Sequence, residues 1–342
     1  MLTKQKKIIL VIGVVLVAAF LGQDLAVAKP IDLNLSLFIP QRHNRFQFVI
    51  KPWIQMIEER TKGQVKITPY FTSAINPLPE FFDATFNGIA DIAEGVTNMT
   101  VGRFPLTETI MLPEMGFKNA LNCSRALWHI YKTFPEIQKE WAGVKMLWHH
   151  TAPPMRIATT KKPVRAIEDL KGLKLFVLGS IGVKGGKALG FSPVTMHPGD
   201  IYMSLEKGII DGGFADNEIT VSRKLDEVIK YITNIEMLQP NFVFIMNQGV
   251  WDRLPADVKK VFDELSGEYM VEFTGKIRDE KEQEARSVIE GKGIEYIELP
   301  PAEKAKAREL LMPVQNEYAA ELEKKGLPGN RVLQELKKFS IE

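Results

Sequence analysis

The chain has 342 residues, with 44 lysines and arginines against 42 aspartates and glutamates, a formal charge of +2. That near balance excludes the basic excess that nucleic-acid binding or polybasic membrane attachment requires. A single cysteine, Cys123, excludes an internal disulfide and a cysteine-based metal cluster, and it reads as a small buried hydrophobe.

Lys4, Lys6 and Lys7 precede an apolar run over 8–21, and Ala26-Val27-Ala28 has the small-x-small form of a cleavage site. Residues 1–28 therefore read as a secretory signal cleaved after Ala28, which predicts export to the periplasm with no stable membrane insertion afterwards. The apolar run falls short of the roughly 20 residues that a retained transmembrane anchor needs. With the three lysines and Asp24 gone, the remaining chain is neutral. Residues 29–342 exceed what one hydrophobic core organises, so two lobes are expected.

Residues 31–38 alternate apolar and polar side chains and predict a strand. A helix follows from Asn44, with Phe46, Ile50, Trp53, Ile54 and Ile57 at helical spacing and Gly63 after its end. Pro52 inside this pattern should kink or interrupt it. Strands are expected over 65–70 and 89–96, with a helix over 79–86 between them. Next come a helix over 119–131 and a strand over 144–150, before Pro153-Pro154 marks the first crossing between lobes. A strand opens over 157–160. Asp169 to Gly172 form a helical turn, 173–177 a buried strand, 180–189 a helix ending on Gly190, and 191–196 another strand. Asp200 caps a helix to Lys207, and Ile209-Ile210 enter a further strand. This alternation predicts a parallel sheet whose ligand lies beyond the carboxyl ends of its strands. The apolar run 241–246 returns to the first lobe. A helix over 257–266 and a long amphipathic helix over 268–290 follow. The strand 294–299 and the helices after Pro301 complete the second lobe, and the charges over 303–325 read as a solvated helix face.

No catalytic or metal motif emerges. His149 and His150 are neighbours on a strand and point to opposite faces, while His43, His129 and His197 lie in separate segments without ligand spacing. Neither a G-x-S-x-G elbow nor a Cys–His arrangement is present. The glycine-rich segment 179–186 lacks both dinucleotide and Walker registers. No cofactor is implied.

Several short motifs carry a resemblance. Lys162-Pro163, Glu168-Asp-Leu-Lys-Gly-Leu-Lys174, Leu189-Gly190, Pro193, Met196, Ile201-Tyr202, Leu205, Gly208 and Ile210-Asp211-Gly212 occur in order. Gly88-Ile-Ala-Asp-Ile92, Val228-Ile-Lys-Tyr231 and Trp251-Asp-Arg-Leu-Pro255 flank them. Together they resemble the solute-binding proteins of tripartite ATP-independent periplasmic (TRAP) transporters over nearly the whole exported chain. The resemblance implies an α/β two-lobe binding-protein fold with a hinge, and a long helix spanning both lobes. Lobe I would comprise 29–153 plus 241–280, and lobe II 154–240 plus 281–342. It also implies a non-enzymatic receptor that passes a small organic acid to small and large membrane subunits.

One site position departs from the family pattern. Where relatives place a carboxylate-binding arginine after Gly-Leu-Lys-Leu, this chain has Phe176. Arg156, twenty residues earlier, matches the family's other solute-facing arginine, and its planar fork suits a carboxylate. An interlobe salt bridge is the alternative role for Arg156. Phe38 ends the first strand, and Phe214, Ala215 and Asp216 follow the Asp211-Gly212-Gly213 turn, where relatives are polar. Trp148 and Phe242 are further candidate walls. An aromatic pocket with fewer cations favours a single-carboxylate solute with an apolar or aromatic body. The alternatives are an exported enzyme acting on a small acid in the same cleft, or a receptor for another transporter class or a sensor kinase.

Overall fold

A computed structural model describes residues 29–235 and 237–340; the predicted signal segment lies outside these residues. Two mixed sheets organise the chain. The first contains β1 (Ile31–Ser36), β2 (Val65–Tyr70), β3 (Ile92–Val96), β4 (Val144–Thr151) and β10 (Asn241–Asn247), in the order β2-β1-β3-β10-β4. The second contains β5 (Arg156–Thr159), β6 (Lys174–Phe176), β7 (Ser192–Val194), β8 (Gly212–Ala215), β9 (Tyr231–Thr233) and β11 (Glu295–Ile297), in the order β11-β9-β5-β8-β6-β7. The first sheet thus draws on chain before Pro153 and again after Pro240, and the second on the chain between them together with β11.

The expected all-parallel sheet is corrected. β10 runs antiparallel to β3 and β4, and β5 runs antiparallel to β8 and β9. β5 and β10 are the strands by which the chain enters each sheet from the other lobe. Each arrives from the end at which its neighbours finish, so each must run against them.

The helix expected from Asn44 is interrupted beside Pro52, as its proline predicts. A π-helical turn over Phe46–Ile50 runs into α1 (Lys51–Arg60), in whose first turn Pro52 stands. In α2 (Ala120–Thr133) the Asn119 side chain accepts from the Asn122 N–H and caps the first turn. The second lobe supplies α3 (Gly179–Ala188) and α4 (Asn217–Ser222). The 25-residue α5 (Gly267–Gly291) packs on α2 and β4 of the first lobe and on α4 of the second. The chain ends with α6 (Pro301–Lys324), which lies on α3, and α7 (Gly329–Lys337).

The C-terminal helices reach back to the first lobe. α7 packs on α2, where His129 and Glu335 meet at 2.9 Å, and the Tyr318 hydroxyl donates to the Pro105 carbonyl at 2.8 Å. Leu127 and Ile130 of α2 share one apolar cluster with Val177, Leu311 and Leu336. Apolar burial, which drives association of packed elements, therefore continues across the seam between lobes.

Two carboxyls stand beside this seam. Glu140 accepts from the Leu106 N–H at 2.6 Å and the Thr107 N–H at 2.9 Å, and burial pushes it up to about 7. Burial and then the Glu140 charge push Glu108 up to about 7 as well, with Glu108 Oε1 unpartnered. A carboxyl raised by folding contributes stability below its ordinary value, near 4.5, and loses that contribution as pH rises towards 7. Glu108→Gln removes the titration, so it should stabilise the protein by about 1–3 kcal/mol at pH 8 and change little at pH 4. Urea unfolding at the two pH values measures this, and equal effects at both would contradict the assignment.

Candidate functional site

A cavity with about 760 Å³ of atom-free space, part of it open to solvent, lies between the lobes. It sits beyond the carboxyl ends of β1, β3, β6 and β8, the place where open α/β sheets receive ligands. Phe38, Val96 and Phe242 reach it from the first lobe, and Phe176, Phe214, Ala215 and Ile219 from the second. β8 carries glycines because its neighbours come too close for side chains. A Cβ on Gly212 would strike the Ala158 carbonyl oxygen, and one on Gly213 would lie 2.8 Å from Phe176 Cβ.

Five of the eight residues expected at the site line this cavity: Phe38, Phe176, Phe214, Ala215 and Phe242. The rings of Phe38 and Phe242 lie nearly parallel with centroids 6.4 Å apart, and His150 stacks on Phe242 at 5.0 Å. Phe214 also joins the core behind the wall, against Phe191 at 6.0 Å.

The other three lie elsewhere. Trp148 is fully buried in the first-lobe core, stacked on Phe244 at 4.0 Å and against Trp53 at 5.1 Å, on the sheet face turned towards α1. Asp216 caps α4: its Oδ1 accepts from the Ile219 N–H at 2.7 Å, and its Oδ2 lies 3.6 Å from Arg278. Burial, then the Glu282 charge, raises its carboxyl well above the usual range, with Arg278 opposing. Arg156 pairs opposite Ala215 in the sheet, but its guanidinium turns to α5 and donates to Glu282 Oε1 at 3.0 Å. The salt-bridge alternative thus describes Arg156 in this structure.

A layer of paired charges backs the apolar wall. Arg45 stands 2.5 Å from Glu94, with its guanidinium 4.4 Å from the centre of the Phe242 ring and 5.1 Å from that of Phe38. Arg278 faces Phe242 at 5.3 Å. Asn44 of the first lobe donates to Glu218 of the second at 3.0 Å. Burial, then the charges of Arg45, Arg278 and Arg223, hold His43 down to about 2, so it is neutral; its Nδ1 accepts from the Arg45 N–H at 3.1 Å. Among the described residues, no group of three His, Cys, Asp or Glu side chains is placed to hold a metal ion, and no helix is long and apolar enough to cross a membrane.

Arg223 is a wall residue that sequence reasoning missed, and it is the one ionisable side chain among the described lining residues. Its signal was spacing: Ile219 and Arg223 are four residues apart, so one face of α4 and its C-cap presents both.

Breaking the Arg156 pair should be costly, because Glu282 keeps only 8% of its side chain exposed. Arg156→Met should destabilise the protein by roughly 3 kcal/mol, and adding Glu282→Gln should recover much of that loss. Denaturant unfolding of the two variants reads both effects; a loss below about 0.5 kcal/mol would place the pair among weak surface bridges.

The model of the family described as bacterial extracellular solute-binding protein, family 7 (DctP), matches residues 35–322. A TRAP periplasmic solute-binding protein from Desulfovibrio salexigens is 30% identical, with a TM-score of 0.82 over 91% of this chain and 96% of that one. The Bordetella bronchiseptica protein with bound (R)- and (S)-mandelate is 29% identical, TM-score 0.83, over 90% and 98%. A marine metagenome TRAP protein specific for aromatic acids, with 3-hydroxybenzoate, is 26% identical, TM-score 0.85, over 91% and 98%. Structures 17–19% identical, which hold galacturonate or glucuronate, share the fold alone.

Proposed function

Since this chain belongs to bacterial extracellular solute-binding protein family 7, the receptors of TRAP transporters, we propose that its solute is a monocarboxylate with an aromatic or branched apolar body. The wall carries this reading: phenylalanines and aliphatic side chains with a single cation, Arg223. The volume suits a small acid, since ligand pockets run from roughly 300 to 1,000 Å³. Each aromatic face contributes about 0.5–1.5 kcal/mol to a stacked ring beyond area burial. A second carboxylate, or a ring of hydroxyls, would be stripped of water against phenylalanine with no partner in return. Relatives with bound mandelate and 3-hydroxybenzoate support the same solute class.

The protein acts as a receptor on this reading, with closure of the lobes over the solute changing the surface offered to the membrane subunits. The wall holds no nucleophile and no general base among its described residues, so release of the solute unchanged is expected. Export with cleavage after Ala28 belongs to the same proposal; N-terminal sequencing of the exported protein should begin at Lys29.

A thermal-shift panel tests the solute class. Benzoate, mandelate and 3-hydroxybenzoate should stabilise the protein by about 2.7 kcal/mol at 100 times their Kd, whereas succinate and glucuronate should shift it little. Tight binding of either of the last two would overturn the proposed class.

A further inference from the structure

We infer that Arg223 is the residue that grips the solute's carboxylate, so that the solute enters with its charged end towards α4 and its apolar body towards the phenylalanines. The inference rests on the solute class proposed above and adds the anchor that selects it. Four arginines lie on the cavity wall or in the layer behind it, and three already have carboxylates: Arg45 has Glu94 at 2.5 Å, Arg278 has Asp216 at 3.6 Å, and Arg156 has Glu282 at 3.0 Å. Arg223 has no carboxylate within 4.0 Å among the described residues. Among the described residues its guanidinium makes one hydrogen bond, from Nη1 to the Pro198 carbonyl at 3.1 Å.

A guanidinium offers five N–H donors in a planar fork, so most of this fork is available. It is also half-buried, with Ile219 and Leu225 beside it on the wall. A charge in such a place loses water and gains little from the protein. Asp216 and Glu218 act on it only from a distance. An incoming carboxylate would supply the missing partner in a setting where a charge-assisted bidentate bond is at its strongest. The neighbouring guanidiniums are already neutralised by their own carboxylates, and His43, held neutral first by burial and then by the nearby arginines, brings no charge of its own. Arg223, the C-cap of α4, is the one charge that this short helix brings to an otherwise apolar wall.

The test uses the exported chain, residues 29–342, with benzoate and its uncharged analogue benzamide as probes in titration calorimetry. Arg223→Met should weaken benzoate binding by about 100-fold or more, while Arg223→Lys, keeping the charge without the fork, should lose about tenfold. Benzamide affinity should change by less than about threefold in both variants, because it has no charge to lose. That arm, with melting temperatures close to the parent's, separates anchoring from folding. Benzoate binding by folded Arg223→Met within about threefold of the parent would overturn the assignment of Arg223 and leave the solute class standing. Equal losses for benzoate and benzamide would also overturn it, marking Arg223 as a packing residue. Failure of the unmodified protein to bind any aromatic monocarboxylate would sink the solute class, and the anchor with it.

Discussion

Two carboxylates one turn apart on α5 hold the two lobes to the same short stretch of helix. Asp279 accepts from the N–H groups of Ala120 and Leu121, at 2.8 and 3.2 Å, in the first turn of α2. Glu282 accepts from the Glu218 N–H in the first turn of α4 at 3.1 Å, and from Arg156 at 3.0 Å. Helix starts leave N–H groups without internal partners and carry partial positive charge, so an acid beside each satisfies both needs. Burial raises both carboxyls above their ordinary range. The bonds to backbone N–H groups and to Arg156 oppose that shift and keep the charged forms competitive. Residues three apart on a helix share a face. The first and second lobes therefore meet the same turn of α5 from two sides.

Around this joint the structure keeps charge and apolar surface in separate layers. Arg45, Arg156 and Arg278 pair with Glu94, Glu282 and Asp216 behind the aromatic wall, and the rings of Phe242 and Phe38 line the cavity. Buried ions without partners would be prohibitive there, whereas paired ions cost less and fix the rings they touch. The arrangement makes the wall's chemistry separable from the scaffold. Phe176, Phe214 and Ala215 can define a solute while the joint remains intact.

Much of this was legible in the sequence, and the reasons differ by element. The strand over Val65–Tyr70 was legible because one face of β2 is solvated, and β10 read as buried because both of its faces are covered. β9 escaped notice: three residues are too few for a period to show. Its partners β5 and β11 come from chain far away on either side, so pairing alone makes it a strand. The antiparallel entries of β5 and β10 follow from lobe crossings, which local propensity does not encode. At the site, the phenylalanines were found because they sit at strand ends. The partner of Arg156 in this structure is Glu282, 126 residues later in the chain, which no spacing rule connects to it. α7 packs on α6, as its place in the sequence suggests, and also on α2, a contact that sequence position does not encode, because its apolar face joins a cluster that crosses the seam.

The joint at residues 279 and 282 is placed to serve as a fulcrum for the lobe closure proposed above. If both lobes are held at one turn of α5, relative rotation is smallest beside that turn and grows with distance from it. Phe242 lies close, with Arg278 over its ring, whereas Leu78 and Pro198 reach the wall from short 3-10 turns outside α5. A few degrees of rotation would then part the outer rim while the inner rings hardly separate. Entry and exit become a matter of leverage. A solute would leave rim-first, peeling from the aromatic floor last, and its residence time would be set by that final inner contact.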